Sequence, residues 1–284
     1  MKRIVSIQDL SCIGKCSLGV ALPVLSAMGL ECAALPTALL SAHTAFDGFV
    51  CRDMQEFFRP VAAHWRSLGL RFDAVSTGYL GDPALVELVQ EFISDFASPR
   101  TPVIVDPAMA DHGRLYAGLS PDLPEKMKSL CRHADILTPN ITEACLLTGL
   151  AYRETHDAAF VRAALEKLLQ LGAKTAIVTG VCMREGRIGV AAMDETGGMS
   201  LYETEHLPGV FYGTGDLFAS VCAGALTLGL PAKDAAALAA DYIYDTLRVT
   251  AADPDRRWYG VSFEATLPAL IERLGRALGK EEPQ

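Results

Sequence analysis

The stretch Gly213-Thr214-Gly215-Asp216 is followed at once by an apolar run of small residues, Leu217 to Leu228. Glycines allow a tight turn and a close approach of the backbone to a ligand. Because the run has helical spacing and no helix breaker before Gly229, the turn is predicted to open a helix. A helix N-terminus has free N–H groups and a partial positive charge, which favour a phosphate. The stretch is therefore predicted to hold a phosphoryl group.

Asp216 lies where that anion would bind, although a carboxylate repels phosphate. Its presence is explained if it is the base that takes a proton from a hydroxyl group attacking a phosphoryl group. The plainer interpretation is an ordinary turn whose aspartate caps the helix, and for these four residues alone it is at least as well supported. The rest of the chain has to distinguish the two interpretations.

The composition is typical of a globular α/β protein. The chain has 284 residues, of which 50% are hydrophobic and 21% charged. Its net charge of −9 argues against nucleic acid or an anionic membrane as a partner. No apolar run reaches the length of a membrane span, and no signal peptide is visible. The eight cysteines include no Cys-x-x-Cys pair, which favours reduced thiols and a cytoplasmic location over zinc or disulfides.

Short β-rich runs alternate with helical patterns, which predicts a doubly wound, mostly parallel sheet with helices on both faces. The predicted parallel strands are Ile4–Ile7, Cys32–Pro36, Ala74–Thr77, Val103–Asp106, Ile136–Thr138 and Ala176–Thr179. The segments Ile188–Met193 and Ser200–Glu203 predict an antiparallel hairpin near one edge. The main predicted helices are Cys16–Met28, Asp53–Leu68, Pro83–Phe96 and a helical region from Thr214 to Leu278. We expect one domain over residues 1–279 and a disordered polar tail over 280–284.

Polar residues follow several predicted strands at their carboxyl ends, the edge at which doubly wound sheets bind ligands. They are Asp9, Gly78-Tyr79, Asp106-Pro107, Pro139-Asn140 and Thr179-Gly180. Glu143 follows in the first turn of the next helix, where a carboxylate is often only a partner for the helix dipole. Separated carboxylates on one edge, together with a phosphate-binding turn, favour Mg²⁺ held mainly through water and phosphate.

Two better-known phosphate motifs are incomplete in this chain. Gly14-Lys15-Cys16-Ser17 is similar to the end of a Walker A loop, but Cys16 replaces the Ser or Thr and Asp9 the first glycine. Gly213-x-Gly215-x-x-Phe218 lacks the third glycine of a dinucleotide fingerprint. Neither a P-loop enzyme nor a dinucleotide-dependent dehydrogenase is supported.

Some cysteines and tryptophans are interpreted as structural. Cys12 and Cys16 are four residues apart, a spacing compatible with one helix face, and we interpret them as packing beneath the substrate pocket and not as a redox pair. Trp65 and Trp258 are interpreted as core or interface residues.

Four motifs in a fixed order carry a resemblance to a known family. They are Gly-Tyr-x-Gly (78–81), Asp-Pro-x-Met-x-Asp (106–111), Thr-Pro-Asn-x-x-Glu (138–143) and Gly-Thr-Gly-Asp (213–216). Together they resemble the ribokinase-like superfamily. Residues Ile7–Ser11 and Leu40–Thr44 make the resemblance strongest to the vitamin B6 kinases of the bacterial pyridoxamine-kinase type. It extends from Ile4 to about Tyr259.

The resemblance implies a ribokinase-like fold and the transfer of a phosphoryl group from ATP, with Mg²⁺, to the 5′-hydroxyl of pyridoxal, pyridoxine or pyridoxamine. The base would be Asp216, and the anion hole would be formed by Gly213, Thr214 and Gly215. The residues implied for Mg²⁺ are Asp106 and Glu143. Those implied for ATP are Asp111, Tyr116, Thr138, Asn140 and Thr179, with Gly213 and Gly215. Those implied for the pyridine ring are Asp9, Ser11, His43, Thr44 and Tyr79.

Two alternatives stay open. One is a hydroxymethylpyrimidine kinase of the same superfamily, although His43-Thr44 and Gly78-Tyr79 favour a pyridine. The other is a catalytically silent paralogue that binds pyridoxal phosphate or a nucleotide, against which the intact Asp216 argues. The resemblance also implies a homodimer and a loop, Asp111–Leu119, that closes over the ligands. The preferred vitamer and a requirement for a monovalent cation are left open.

Overall fold

The computed structural model describes residues 1–279, so the tail 280–284, for which we predict disorder, lies outside the described residues. Strands form where apolar residues run together between turn residues. In chain order they are β1 (Arg3–Ser11), β2 (Glu31–Leu40), β3 (Cys51–Asp53), β4 (Ala74–Thr77), β5 (Val103–Val105), β6 (Ala110–Asp111), β7 (Arg114–Leu115), β8 (Ile136–Leu137), β9 (Thr175–Val181), β10 (Arg187–Asp194) and β11 (Met199–Glu205).

The helices occupy most of the connections between these strands. They are α1 (Leu18–Ala27), α2 (Gln55–Ser67), α3 (Pro83–Phe96), α4 (Leu123–Cys131), α5 (Ile141–Thr148), α6 (Ala158–Leu169), α7 (Thr214–Leu228), α8 (Ala232–Ala252) and α9 (Leu267–Ala277), with a short 3₁₀ helix at Phe263–Thr266. Within residues 1–279, none of these helices combines the length and the apolar character needed to cross a bilayer.

Nine strands form one sheet in the order β11-β10-β9-β8-β5-β4-β1-β2-β3. All strands from β9 to β2 in this order pair in parallel. The hairpin of β10 and β11 is antiparallel at one edge, and β3 pairs antiparallel with β2 at the other. The predicted doubly wound, mostly parallel sheet is thus confirmed, and the hairpin lies at an edge as expected.

Both faces of the sheet are covered, because successive side chains of a strand point to opposite faces. Val5 and Ile7 belong to an apolar cluster to which α2 through α6 contribute. Ile4, directly before Val5 in the same strand, packs instead with Leu25 of α1 and Ala223 of α7. A further cluster joins α1, α7, α8 and α9 to β9 and β10. The continuous apolar character of the central strands follows from this two-sided burial.

The structure differs from the sequence predictions near the first loop and at one edge. Strand β1 continues to Ser11, so Asp9 lies within the strand and not after it. Helix α1 begins at Leu18, because Ser17 has a positive φ of 49° that a right-handed helix does not accept. Cys12 and Cys16 therefore do not share a helix face. Strand β3 was not predicted, since its three residues are all exposed and have no apolar pattern.

Candidate active site

The carboxyl ends of the central strands meet at one edge of the sheet, as predicted. Asp106 follows β5 directly, and its N–H donates to the carbonyl oxygen of Thr77 on β4 at 3.2 Å. Thr138 follows β8, and its N–H donates to the carbonyl of Val105 at 3.0 Å. These bonds extend the parallel ladder by one residue and hold the polar residues side by side.

Gly213 forms the turn that opens α7, in the left-handed conformation (φ 82°, ψ 6°). A Cβ atom at this position would lie 1.8 Å from the carbonyl oxygen of Lys15, so the position requires glycine. No described side chain caps the N-terminus of α7. Its first N–H groups can therefore bind an anion, which agrees with the predicted phosphoryl site.

Asp216 lies in the first turn of α7 and is partly buried. Burial and the negative charge of Asp9 together raise its pKa to about 7, against the opposing effect of the backbone N–H of Ser17. The pKa of the neighbouring Cys16 thiol is raised to about 12, by burial and by the charge of Asp216. At neutral pH, Asp216 is thus poised to exchange a proton, whereas the thiol is not.

Asp9 is buried, with 4% of its surface exposed, and both of its carboxylate oxygens accept hydrogen bonds from serines. The Ser17 hydroxyl donates to Oδ1 at 2.5 Å and the Ser11 hydroxyl to Oδ2 at 3.3 Å. Burial raises the pKa of Asp9, and these hydrogen bonds lower it. The half-buried Tyr79 lies close enough that the charge of Asp9 adds to burial in raising its pKa. Three of the predicted ring-pocket residues, Asp9, Ser11 and Tyr79, are thereby brought together.

His43 belongs to a group of rings that we call the aromatic cluster: His43, Phe46, Tyr212, Trp258 and Tyr259. Its Nδ1 accepts a hydrogen bond from Ala45 N–H at 3.1 Å, so Nε2 carries the proton and donates to the carbonyl of Tyr259 at 3.1 Å. Burial lowers the pKa of His43, so the ring is neutral at pH 7. Thr44 beside it is exposed.

Trp258 is not a core residue, because 55% of its surface is exposed. Its ring lies 4.6 Å from that of Phe46 and 6.0 Å from that of His43, between centroids. Trp65 packs against Phe72 and Phe92, as expected of a structural tryptophan. Sequence reasoning missed Trp258 and Tyr212 as neighbours of His43, since they come from loops distant along the chain.

Glu143 closes a capping box at the start of α5 with Asn140. Its Oε1 accepts from the N–H groups of Met109 and Ala110 at 3.0 and 3.3 Å, and its Oε2 from that of Asn140 at 2.9 Å. The Asn140 side chain donates to the carbonyl of Ala110 at 2.7 Å. Burial raises the pKa of Glu143, and these N–H groups oppose the shift. Glu143 thus joins α5 to the loop after β5. Because both of its oxygens already accept hydrogen bonds, a metal ion would interact with its charge mainly through water.

Asp106 is the other residue implied for Mg²⁺. Its pKa is raised well above the ordinary value, by burial and by the charges of Glu143 and Asp216. The hydroxyls of Thr77 and Thr138 are buried beside it without a hydrogen-bond partner among the described residues. A divalent cation would relieve this repulsion, so the residues fit Mg²⁺. Among residues 1–279, no three His, Cys, Asp or Glu side chains form a ready-made metal site, as expected for a cation held largely through water and phosphate.

The remaining residues implied for ATP lie beside these carboxylates. Asp111 is exposed in the small hairpin of β6 and β7, and Tyr116 follows it with 41% of its surface exposed. The pKa of Tyr116 is raised by burial and by the charges of Glu143, Asp111, Asp106 and Asp216. Thr179 on β9 forms a parallel bridge to Asn140. The first part of the predicted loop, residues 111–115, thus belongs to a short hairpin.

The segment Gly14–Ser17 lies against the site, although its sequence is an incomplete Walker A motif. The Lys15 ammonium pairs with Glu264 at 2.7 Å, so it is engaged away from the position of a Walker A lysine. The backbone and hydroxyl of Ser17 contact the two carboxylates Asp216 and Asp9 instead. The partial Walker-like pattern was the one signal that could have drawn attention to this segment.

A doubly wound sheet with a glycine turn, an uncapped helix N-terminus and a carboxyl group of raised pKa at its carboxyl edge is the arrangement of a ribokinase-like kinase. The profile of the phosphomethylpyrimidine kinase family matches residues 24–259, and the chain belongs to this family.

Its relatives include enzymes named for vitamin B6. Pyridoxal kinase PdxY of Rubrobacter xylanophilus is 32% identical over 260 residues, which cover 87% of each chain. The pyridoxal kinase structure from Lactobacillus plantarum is 35% identical with a TM-score of 0.88, over 97% of this chain and 99% of that one. A protein from Bacteroides thetaiotaomicron that is named for phosphomethylpyrimidine instead, and that was crystallised with pyridoxal, is 33% identical with a TM-score of 0.90, over 95% of both chains.

Proposed function

We propose that the protein is a vitamin B6 kinase, which transfers the γ-phosphoryl group of ATP to the 5′-hydroxyl of pyridoxal, pyridoxine or pyridoxamine. The observation that carries the proposal is the position of Asp216, a carboxyl group with a pKa of about 7 in the first turn of α7. It lies beside the uncapped N–H groups of the same turn, so one helix end supplies both the base and the anion hole. The relatives named pyridoxal kinase support a B6 vitamer as the acceptor.

In the proposed reaction, Asp216 accepts the proton of the 5′-hydroxyl as its oxygen attacks the γ-phosphorus. The bond from that phosphorus to the β,γ-bridging oxygen breaks, and ADP leaves. The N–H groups of residues 213–215 hold the transferring group, since this chemistry asks mainly for positioning and charge neutralisation. Asp106 and, through water, Glu143 would hold Mg²⁺, which when bound offsets the negative charge of the phosphates.

The ring pocket is assigned to the other side of Asp216. Asp9 is the buried carboxylate there, and its charge suits the protonated pyridine nitrogen or the amine of pyridoxamine. Tyr79 and the aromatic cluster around His43 offer flat surfaces for the ring. The nucleotide is assigned to the opposite side, along Asp111, Tyr116, Thr138, Asn140 and Thr179, under the β6–β7 hairpin.

A hydroxymethylpyrimidine kinase is the second candidate, favoured by the description of the family whose profile the chain matches. Its substrate is also a flat nitrogen heterocycle with a hydroxymethyl group, so the base and the anion hole would serve it unchanged. The ring pocket has to discriminate between the two substrates.

A product assay on the purified protein with Mg·ATP tests the proposal. Pyridoxal, pyridoxine, pyridoxamine and hydroxymethylpyrimidine are offered in parallel, with Asp216→Asn as the control. Phosphorylation of a B6 vitamer that depends on Asp216 supports the proposal and ranks the vitamers. Phosphorylation of the pyrimidine alone supports the second candidate, a hydroxymethylpyrimidine kinase. Nucleotide binding with no product from any substrate supports a silent binder.

We also infer from the resemblance that the protein works as a homodimer in the cytoplasm and that residues 1–279 are one domain. Light scattering coupled to gel filtration tests the dimer. A single unfolding transition that is coincident by fluorescence and circular dichroism tests the single domain.

A further inference from the structure

The segment Gly14–Ser17, which we call the bridging segment, is packed against two parts of the proposed site. The ring of His43 would lie 2.5 Å from a Cβ atom on Gly14. The carbonyl of Lys15 lies against Gly213, and its side chain against Gly260. The segment therefore touches the aromatic cluster and the anion hole with almost no free space.

Ser17, the last residue of this segment, has a backbone conformation that favours glycine. Its φ of 49° and ψ of −133° are close to those of the first central residue of a type II′ turn. Within residues 1–279, His112 is the other non-glycine residue with a positive φ. Glycine would adopt this conformation without a steric cost. The presence of serine here therefore has to be explained by an interaction of its side chain.

The hydrogen bonds of Ser17 show what its side chain adds. Its hydroxyl donates to Oδ1 of Asp9 at 2.5 Å, and its backbone N–H is near enough to Asp216 to lower the pKa of that carboxyl group. Ser17 is 4% exposed, so water does not compete for these bonds. Its carbonyl also accepts from Val20 and Ala21 at 3.0 and 2.9 Å, which anchors it to the start of α1. One buried residue thus contacts two carboxyl groups that are far apart in the sequence.

We propose that Ser17 is a positioning residue that couples the vitamer pocket to the catalytic base. Its hydroxyl holds Asp9 where the ring binds, and its N–H holds Asp216 where the 5′-hydroxyl is deprotonated. The two ends of one substrate are thereby set at a fixed spacing. This inference rests on the proposed function, because it assigns Asp9 and Asp216 to the two ends of a vitamer.

Ser17→Gly is the main test, because glycine keeps the N–H and accepts the backbone conformation while removing the hydroxyl. We expect the thermal unfolding temperature to be unchanged or higher. We expect kcat to fall about tenfold or more and the KM for the vitamer to rise by a similar factor, as for the loss of a charge-assisted hydrogen bond. The KM for ATP stays unchanged. Wild-type kcat in this variant would overturn the proposal.

Two further variants separate coupling from other effects. Ser11→Ala removes the longer hydrogen bond to Asp9 and leaves Asp216 untouched, so it should raise the KM for the vitamer without lowering kcat. Thr227→Ala removes a buried hydroxyl at the far end of α7, which donates to the carbonyl of Ala223, and should keep all wild-type kinetic constants. If Ser11→Ala lowered kcat as much as Ser17→Gly does, a specific role of Ser17 would be excluded.

A double-mutant cycle with Asp9→Asn completes the test. If the hydroxyl acts through Asp9, the effect of Ser17→Gly on kcat and on the KM for the vitamer is severalfold smaller in the Asp9→Asn background. Full additivity of the two substitutions contradicts the proposal. The dissociation constant of pyridoxal, measured by fluorescence titration, is compared in the same four proteins. Ser17→Gly should weaken this binding only when Asp9 is present. If the wild type binds pyridoxal but phosphorylates no vitamer, the proposed function fails, while the binding cycle still decides whether Ser17 holds Asp9.

Discussion

The carbonyl oxygen of Lys15 lies so close to Gly213 that a Cβ atom on residue 213 would be 1.8 Å from it. The contact joins the loop after the first strand to the turn that opens α7. It is made by the main chain on both sides, so neither partner can move aside by a change of rotamer. The position of the anion hole is therefore set by the first loop as well as by its own turn.

Gly213→Ala should disrupt this contact. The positive φ alone costs roughly 1–3 kcal/mol in the free energy of unfolding, and the overlap with Lys15 adds to it. Because a displacement of about 1 Å can lower a rate about 100-fold, kcat should fall by about that factor in the protein that still folds. Urea unfolding and initial rates are the measurements. Gly215→Ala, whose Cβ has nothing within 4 Å, is the stability control and should unfold like the wild type.

Asp216→Asn should fold and bind ATP but lose turnover, because asparagine cannot accept the proton. The expected fall in kcat is about 10²–10⁴-fold. In the wild type, kcat should decline as the pH falls through about 7, where Asp216 becomes protonated. Both expectations are checked by steady-state rates measured from roughly pH 5.5 to pH 9, a range that lies on both sides of that pKa. Turnover like that of the wild type in Asp216→Asn would contradict the role of Asp216 as the base.

The same carboxyl should affect stability in the opposite sense from most carboxyl groups. Its pKa is about 7 in the folded protein against an ordinary value of 3.8, so between these values the folded state holds a proton that the unfolded state has lost. Stability from this group is therefore greatest at low pH and decreases as the pH rises toward 7. Asp216→Asn should raise the unfolding temperature at pH 8 and raise it much less near pH 5. An equal increase at both pH values would show that ionisation of Asp216 is not the cause.

Glu143→Gln should lower stability and raise the Mg²⁺ concentration needed for activity. The amide nitrogen of glutamine cannot accept a hydrogen bond, so one side of the capping box is left unpaired, at a cost of about 1–3 kcal/mol. Loss of the negative charge also weakens the attraction for the cation. Thermal unfolding and a Mg²⁺ titration of the rate measure the two effects.

Asn140→Ala is the matched variant, because it removes the other half of the capping box and keeps the charge of Glu143. It should destabilise the protein similarly while leaving the Mg²⁺ titration closer to that of the wild type. If both variants shift the Mg²⁺ requirement equally, the effect comes from a displaced loop and not from the charge. An unchanged titration in Glu143→Gln would refute a metal role.

Trp258 should report on the vitamer. In a Trp65→Phe background, the one remaining tryptophan lies in the aromatic cluster, 6.0 Å from the ring of His43. Its fluorescence should respond to pyridoxal and not to ATP alone. Trp258→Ala should raise the KM for the vitamer about 2- to 10-fold with little change in kcat, the scale of one aromatic contact. A response to ATP alone would assign the cluster to the nucleotide side instead.

Much of the fold was predictable because it is encoded locally. The limits of β4 and α3 agree with the patterns of Ala74–Thr77 and Pro83–Phe96, since buried strands and a proline-initiated helix have strong signals within a few residues. Strand β3 was missed because an edge strand of three exposed residues is stabilised by its pairing with β2 and not by its own composition. The start of α1 was misplaced because the conformation of Ser17 depends on its contacts with Asp9 and Asp216.

The sequence by itself determined the alternation of strands and helices, the glycine turn before α7 and the presence of polar residues after the central strands. These depend on periodicity and on backbone freedom, which are properties of neighbouring residues. Only the tertiary structure decided that Ser17 joins Asp9 to Asp216, that Lys15 pairs with Glu264, and that three backbone N–H groups bind Glu143. Apart from the pairs Asn140–Glu143 and Asp9–Ser17, these contacts join residues far apart in the chain, and they exist only after the order of the sheet has brought its carboxyl edge together.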